Sequence, residues 1–252
     1  LFTQCSQLPL SKLFSYACPM FQVILLGTLV SAMIPLGGVI AANENIQRDW
    51  LRTELRHSVV AFGGGALLSA VAFVLIPQGD EALNTFAVIG WIAAGAIAMA
   101  VVDMRLTRQG SHKAQLVAML SDFIPEAVAL GAVIASGKSS GLLLALMIAL
   151  QNLPEGFNAF REQRDSGAKS GAILRNFVGL ACIGPASALA GFLLLADFPQ
   201  VTGALMLTAA GAILYLIFQD IAPQAKLANR HGPALGAVAG FLLGLCGHLM
   251  IG

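Results

Sequence analysis

Apolar runs of roughly 20 residues recur along this chain from about residue 21 to its end. Each is long enough to cross the ~30 Å hydrocarbon core of a bilayer as an α-helix. Backbone in hydrocarbon has no water to bond, so only helices and closed barrels can span it. The alternating ten-residue strands of a membrane barrel are absent. With 57% hydrophobic and 11% charged residues in 252, the chain has too little polar surface for a soluble domain of that size. The expected fold class is an all-α polytopic membrane protein without a sizeable soluble domain.

Hydropathy places helices at 21–42, 58–76, 85–103, 114–136, 141–160, 174–195, 201–222 and 233–251. The connectors, such as "NENIQRDW", "RLTRQGSHK" and "REQRDSGAKSG", carry the polar punctuation expected of interfaces. Residues 1–20 have little helical periodicity and are expected to be a leader or a disordered segment, with Met20 as an alternative start. The domain itself then runs from 21 to 252. Twelve of the 14 basic residues fall in or beside alternate loops, and the remaining two lie on the other side. The positive-inside rule puts the twelve in the cytoplasm, which makes the span count even and leaves both termini outside. Cys5, Cys18, Cys182 and Cys246 show no CxxC spacing and read as free thiols. A net charge of +1 without a basic tract points away from a nucleic-acid partner.

Four acidic residues fall inside apolar helices: Asp122 and Glu126 on the fourth, Glu155 on the fifth and Asp220 near the end of the seventh. An ionised side chain at the bilayer centre costs roughly 2.5–3.5 kcal/mol on insertion scales. Lysine and arginine are missing at the same depth, so these acids are either protonated or completed by a mobile cation. Asp122 and Glu126 are spaced i,i+4, and Gln151 and Glu155 repeat that spacing on the next helix. If the two faces meet, they form an oxygen-rich shell suited to a divalent metal. Pro125 and Pro154, 29 residues apart, each remove a backbone donor and free the carbonyl four residues earlier. Proline-interrupted segments in neighbouring helices point to a transport site. The plain alternative is a pair of kinked helices with protonated, packed glutamates.

The segments "DFIPEA" and "QNLPEG" on helices 4 and 5 resemble the HNxPEG and (H/Q)(E/D)xPEG motifs of the ZIP (Zrt/Irt-like) family of divalent-metal transporters. "GPASALAG" (184–191) is similar to that family's helix 6 EPxGAxxG, and "FQDIAPQA" (218–225) to its helix 7 HExxPE. The resemblance covers roughly residues 21–252. It implies a 3+2+3 bundle in which helices 1–3 and 6–8 are inverted repeats around helices 4 and 5. It also implies passage of a divalent metal, zinc or iron/manganese, toward the cytoplasm as the transported substrate, with no organic cofactor and no enzymatic activity. The implied metal residues are Asp122 (at the family's histidine position), Glu126, Gln151 and Glu155, with Asn152 at a second-site position and Gln219 and Asp220 at an exit site. The implied location is the inner (cell) membrane of a bacterium.

Departures from the pattern carry their own expectations. Phe123, Asn152 and Gly184 stand where the family places second-site Asn, Asp and Glu, and Ala66 where a helix 2 methionine approaches the metal. Together they imply loss of the second metal. An all-oxygen site without imidazole shifts preference from Zn²⁺ toward Mn²⁺ or Fe²⁺. His57, His112 and His231 read as solvated surface residues, and His248 as a ring bonded to a backbone carbonyl. Gly236, Gly240 and Gly244 suit either close packing within the bundle or a homodimer interface. No HExxH pair exists, which removes the motif an intramembrane metalloprotease would need. The competing non-enzymatic reading is a relict of the same fold with a sensing or structural role and no transport.

Overall fold

The computed structural model describes residues 10–43, 49–107, 112–135, 137, 140–195, 197–227 and 230–251. Of these, 10–18, 49–52, 106–107, 112–122, 140, 224 and 251 are described by backbone alone. Among the described residues the chain is helical and holds no strand. The segments are α1 (Leu10–Asn43), α2 (Asp49–Ala70), α3 (Ile76–Asp80), α4 (Thr85–Thr107), α5 (His112–Ala135), α6 (Ser140–Asp165), α7 (Ser170–Ala181), α8 (Ile183–Leu194), α9 (Pro199–Leu216), α10 (Ala222–Ala225) and α11 (Gly232–Ile251). Two π-helical turns, π1 (Val71–Leu75) and π2 (Ile217–Ile221), join α2 to α3 and α9 to α10.

Among the described residues, six helical stretches are long and apolar enough to cross a membrane: Pro19–Asn43, Thr53–Asp80, Thr85–Arg105, Ser170–Leu194, Pro199–Ile221 and Gly232–Met250. They make the chain an integral membrane protein by length and composition. The expected spans 114–136 and 141–160 correspond to α5 and α6, with residue 136 outside the described residues; both are helical but do not belong to these six. Those are the two helices that carry the proline–glutamate steps. Helix α1 begins at Leu10, so helix extends into the segment expected ahead of the first span.

Proline sets the interruptions. Pro77 and Pro223 each sit two residues after a π turn. Lacking an N–H, they leave the carbonyls of Phe73 and Gln219 without their α-helical donors. The backbone responds by widening: Ile76 N–H bonds Val71 O and Ala222 N–H bonds Ile217 O, both i to i−5. The two turns share one register relative to their prolines. Between α7 and α8 the helix breaks at Cys182, three residues ahead of Pro185, whose ring cannot sit over the preceding turn. At the end of α6, Gly167 takes φ +95° while Ala168 N–H bonds Gln163 O and Gly167 N–H bonds Arg164 O, which closes a Schellman cap.

At four of the helix crossings among the described residues backbone lies against backbone, and glycines on both members make each approach possible. Gly37 of α1 meets Leu153 and Phe157 of α6, and Gly156 of α6 meets Ile34. Gly131 of α5 meets Ala188 and Phe192 of α8, and Gly191 meets Val128. Gly95 of α4 lies on Thr208 of α9 while Gly211 lies on Ile92. Gly65 of α2 meets Ala237 and Phe241 of α11, with Gly236 and Gly240 against Ser58 and Phe62. Hydrocarbon gives no hydrophobic drive between helices, so close packing of small residues supplies the attraction. Gly244 packs against Ser69 and Met147, so all three glycines of the α11 pattern face partners within the bundle.

The core lies around α5 and α6, where Phe123, Leu130, Leu144, Met147, Ile148 and Phe160 are buried. The outer faces are apolar and exposed, with Phe86 at 89% and Leu249 at 74%. Apolar residues exposed on this scale suit a surface turned to lipid rather than water. Polar contacts gather at one end, where Arg56 pairs with Asp165 and Arg230 with Glu54, both at 3.7 Å.

Candidate functional site

One member of each i,i+4 pair on α5 and α6 meets the other, Glu126 with Gln151. Gln151 donates from Nε2 to Glu126 Oε2 at 2.5 Å, and both side chains are buried. A hydrogen bond to a charged acceptor is the stronger kind, and burial strengthens it further. Glu155 follows one turn after Gln151, is half-buried, and stands near enough to Glu126 for the two carboxylates to repel. No basic side chain among the described residues acts on either carboxylate. Asp122 belongs to α5 one turn ahead of Glu126, but its side chain lies outside those described.

Two amide oxygens in this region point at nothing. Asn152 donates from Nδ2 to Val30 O of α1 at 2.8 Å, which leaves its buried Oδ1 without a hydrogen-bond partner among the described residues. The Oε1 of Gln151 is buried and unpartnered in the same way. A buried acceptor without a donor costs about 1–3 kcal/mol, so two on adjacent residues ask for a reason. A cation would satisfy both; so would an ordered water. Among the described residues no three His, Cys, Asp or Glu side chains stand together as a metal-binding group.

The positions where the sequence departs from the proline–glutamate pattern also converge. Phe123 is buried with its ring tip against Gly184, where an added Cβ would stand 2.6 Å from Phe123 Cζ and overlap Ser31 Oγ. Ser31 donates to Gly27 O, beside the Val30 carbonyl that holds Asn152. An aromatic ring, a glycine and an internally bonded serine therefore occupy the space next to Asn152. Ala66 is buried with its backbone N facing Gly240 of α11. The residue of α2 that meets the motif is Gly63, whose added Cβ would sit 3.0 Å from Pro154 Cγ.

Gln219 and Asp220 are exposed on π2, away from the Glu126–Gln151 contact in sequence and on another helix. What stands near Asp220 is Glu162 of α6, a residue outside the expected span. Burial first, and then the charge of Asp220, push the Glu162 carboxyl above the ordinary range, with Arg56 opposing and Asp165 adding to the rise. The sequence carried a signal for Glu162: it follows Glu155 by seven residues, two turns down the same face. Hydropathy alone put it in a loop. Tyr215 donates to Asp103 at 2.9 Å, tying α9 to α4 near the same end.

His248 stacks on Phe73, with ring centroids 5.2 Å apart and planes 13° from parallel. Its Nδ1 finds no partner among the described residues, so the carbonyl bond expected for the ring is not seen at that atom. Cys182 and Cys246 are free thiols, as their spacing suggests. No protein-family model matches the sequence, and no curated protein matches it.

Proposed function

We propose that this chain is a divergent ZIP-like transporter that carries a divalent metal across the membrane toward the cytoplasm. The observation that carries the reading is the meeting of Glu126, Gln151 and Glu155 between two proline-bearing central helices, with two buried amide oxygens unpartnered beside them. On this reading α5 and α6 are the fourth and fifth of eight spans. Their 24 and 26 residues correspond to about 36 and 39 Å of helix, enough for the ~30 Å core. The flanking helices would be inverted repeats. Exchanging the first three with the last three turns the α2–α11 pair into the α9–α4 pair and the α1–α6 pair into the α8–α5 pair, which supports that arrangement.

The chemistry follows from the donors. Two carboxylates supply charge, and amide oxygens complete a hard, all-oxygen set that favours Mn²⁺ or Fe²⁺ over Zn²⁺. Metal and protons compete for the same carboxylates, so uptake should weaken as pH falls. Asp220 and Glu162 would receive the ion at the inner end, which lies in the cytoplasm when the basic loops do. The inner membrane of a bacterium is the proposed location.

Proteoliposome uptake of Mn²⁺, Fe²⁺, Zn²⁺, Co²⁺ and Cd²⁺ tests the proposal. Uptake of Mn²⁺ or Fe²⁺ that disappears in Glu126→Gln and Glu155→Gln supports it, and Asp122→His should move preference toward Zn²⁺. The second reading, a relict that binds no metal, draws on the Phe123–Gly184 packing and on the shortage of charged donors among the described residues. It predicts no uptake and no metal-dependent stabilisation. A working site should gain about 2.7 kcal/mol at a hundredfold excess of metal over its dissociation constant.

A further inference from the structure

A cavity of about 650 Å³ opens between α2, π2, α10 and α11, and none of its lining residues belongs to α5 or α6. Its floor is Gly64, Gly65 and the buried Ile217, and its rim includes the exposed Leu68, Val238 and Leu242. From Ala234 to Leu242 it follows α11 for about 12 Å. Its exposed apolar rim opens the groove sideways toward lipid. Its two charged lining residues, Lys226 and Arg230, are both basic.

We propose that this groove seats an acyl chain of an anionic phospholipid, with the lipid phosphate held by Lys226 and Arg230. Charge complementarity selects the occupant. Lys226 is exposed and makes no ion pair among the described residues. Arg230 meets Glu54 at 3.7 Å, and its side chain is 49% exposed where it lines the cavity, so a lipid phosphate can join that contact from outside. Apolar walls with cations at one end match the amphipathic shape of a phospholipid. Basic pockets between membrane helices are a recognised way of holding anionic headgroups. A soluble anion would gain nothing from the walls, and a neutral lipid nothing from the cations. Because π2 forms one wall, the bound chain would pack against Ile217 and Ile221, on the turn that also presents Gln219 and Asp220.

Native mass spectrometry of the purified protein, titrated with phosphatidylglycerol, phosphatidylcholine or glycerol phosphate, tests the assignment. Phosphatidylglycerol should be retained in preference to phosphatidylcholine. Lys226→Gln and Arg230→Gln should each weaken its retention about fivefold, the share of one basic residue near an anionic headgroup. Ala234→Phe, which fills the groove without changing charge, should weaken it too while the melting temperature confirms folding. Lys169→Gln, on another loop, should leave it unchanged. Equal retention of the two lipids would overturn the proposal, as would full retention by both Lys226→Gln and Ala234→Phe. Competition by glycerol phosphate at lipid-like concentrations would reassign the site to a free anion. A dimer that excludes lipid from the groove would reassign it to a second copy of the chain.

Discussion

Helices α5 and α6 carry the same proline–glutamate step, yet the residues around it have gone opposite ways. On α6 the step is preceded by Gln151 and Asn152, both buried and both reaching to other helices for partners. On α5 the residue three before Glu126 is Phe123, packed against Gly184. At this matched position one copy holds a polar side chain that the fold satisfies only in part, and the other a packed ring. A buried polar group with incomplete partners is costly, whereas a ring in a fitted space is stabilising. On the proposed reading, Asn152 on α6 belongs to the ion site and its α5 counterpart Phe123 to the packing, while Glu126 brings α5 into the site.

The largest effect that could break this contrast is loss of either glutamate. Glu126→Gln and Glu155→Gln should each lower metal affinity by more than about a hundredfold and leave the melting temperature intact, since a buried charge is removed at constant size. If only one abolishes uptake, the two steps are not a shared site. Gln151→Leu should come next, weakening uptake about 10–100-fold because Glu126 loses the group that orients it. Phe123→Leu should leave transport near wild type, and equal losses from the two variants would erase the distinction between the helices. Gly184→Ala probes the packing side and should cost about 1–3 kcal/mol in a thermal melt, because the new methyl meets Ser31 Oγ and Phe123 Cζ. Adding Phe123→Leu to Gly184→Ala should recover part of that loss, which an independent pair of sites would not do.

The smallest effect concerns Glu162. Its carboxyl is held above the ordinary range by burial and then by Asp220, so the native state binds that proton more tightly than the unfolded chain. The resulting instability is present at neutral pH and is relieved as pH falls toward the ordinary glutamate value of about 4.3. Glu162→Gln should melt higher than wild type at pH 7, with the gap closing toward pH 4. A gap that widens on acidification would mean that Arg56, not Asp220, governs the residue.

Much of the helical layout was legible because hydropathy in a membrane protein reports the solvent directly. Each expected range corresponds to helix over most of its length, although 174–195 is broken at Cys182, and among the described residues six apolar stretches stand out by composition alone. What hydropathy could not rank was α5 and α6, since the residues that dilute their apolarity are those that make the contact between them. The Gln151–Glu126 bond followed from i,i+4 spacing on two neighbouring helices. The π turns did not, although Pro77 and Pro223 mark both, because proline says that a bond is lost and not how the backbone compensates. The fit of Phe123 to Gly184 was hidden as well: it joins residues 61 apart, and only close approach of α5 and α8 makes a missing methyl matter.

The reciprocal glycines at the four crossings carry a mechanical consequence. Where backbone lies on backbone there are no rotamers to change and no side chains to slide past one another, so each helix pair is locked into a single beam. The α5–α6 contact is different in kind, because a flexible amide and two carboxylates span it. If the proposed transport holds, displacement along that seam would leave the beams intact, and the compliant element and the ion-binding groups would be the same few side chains.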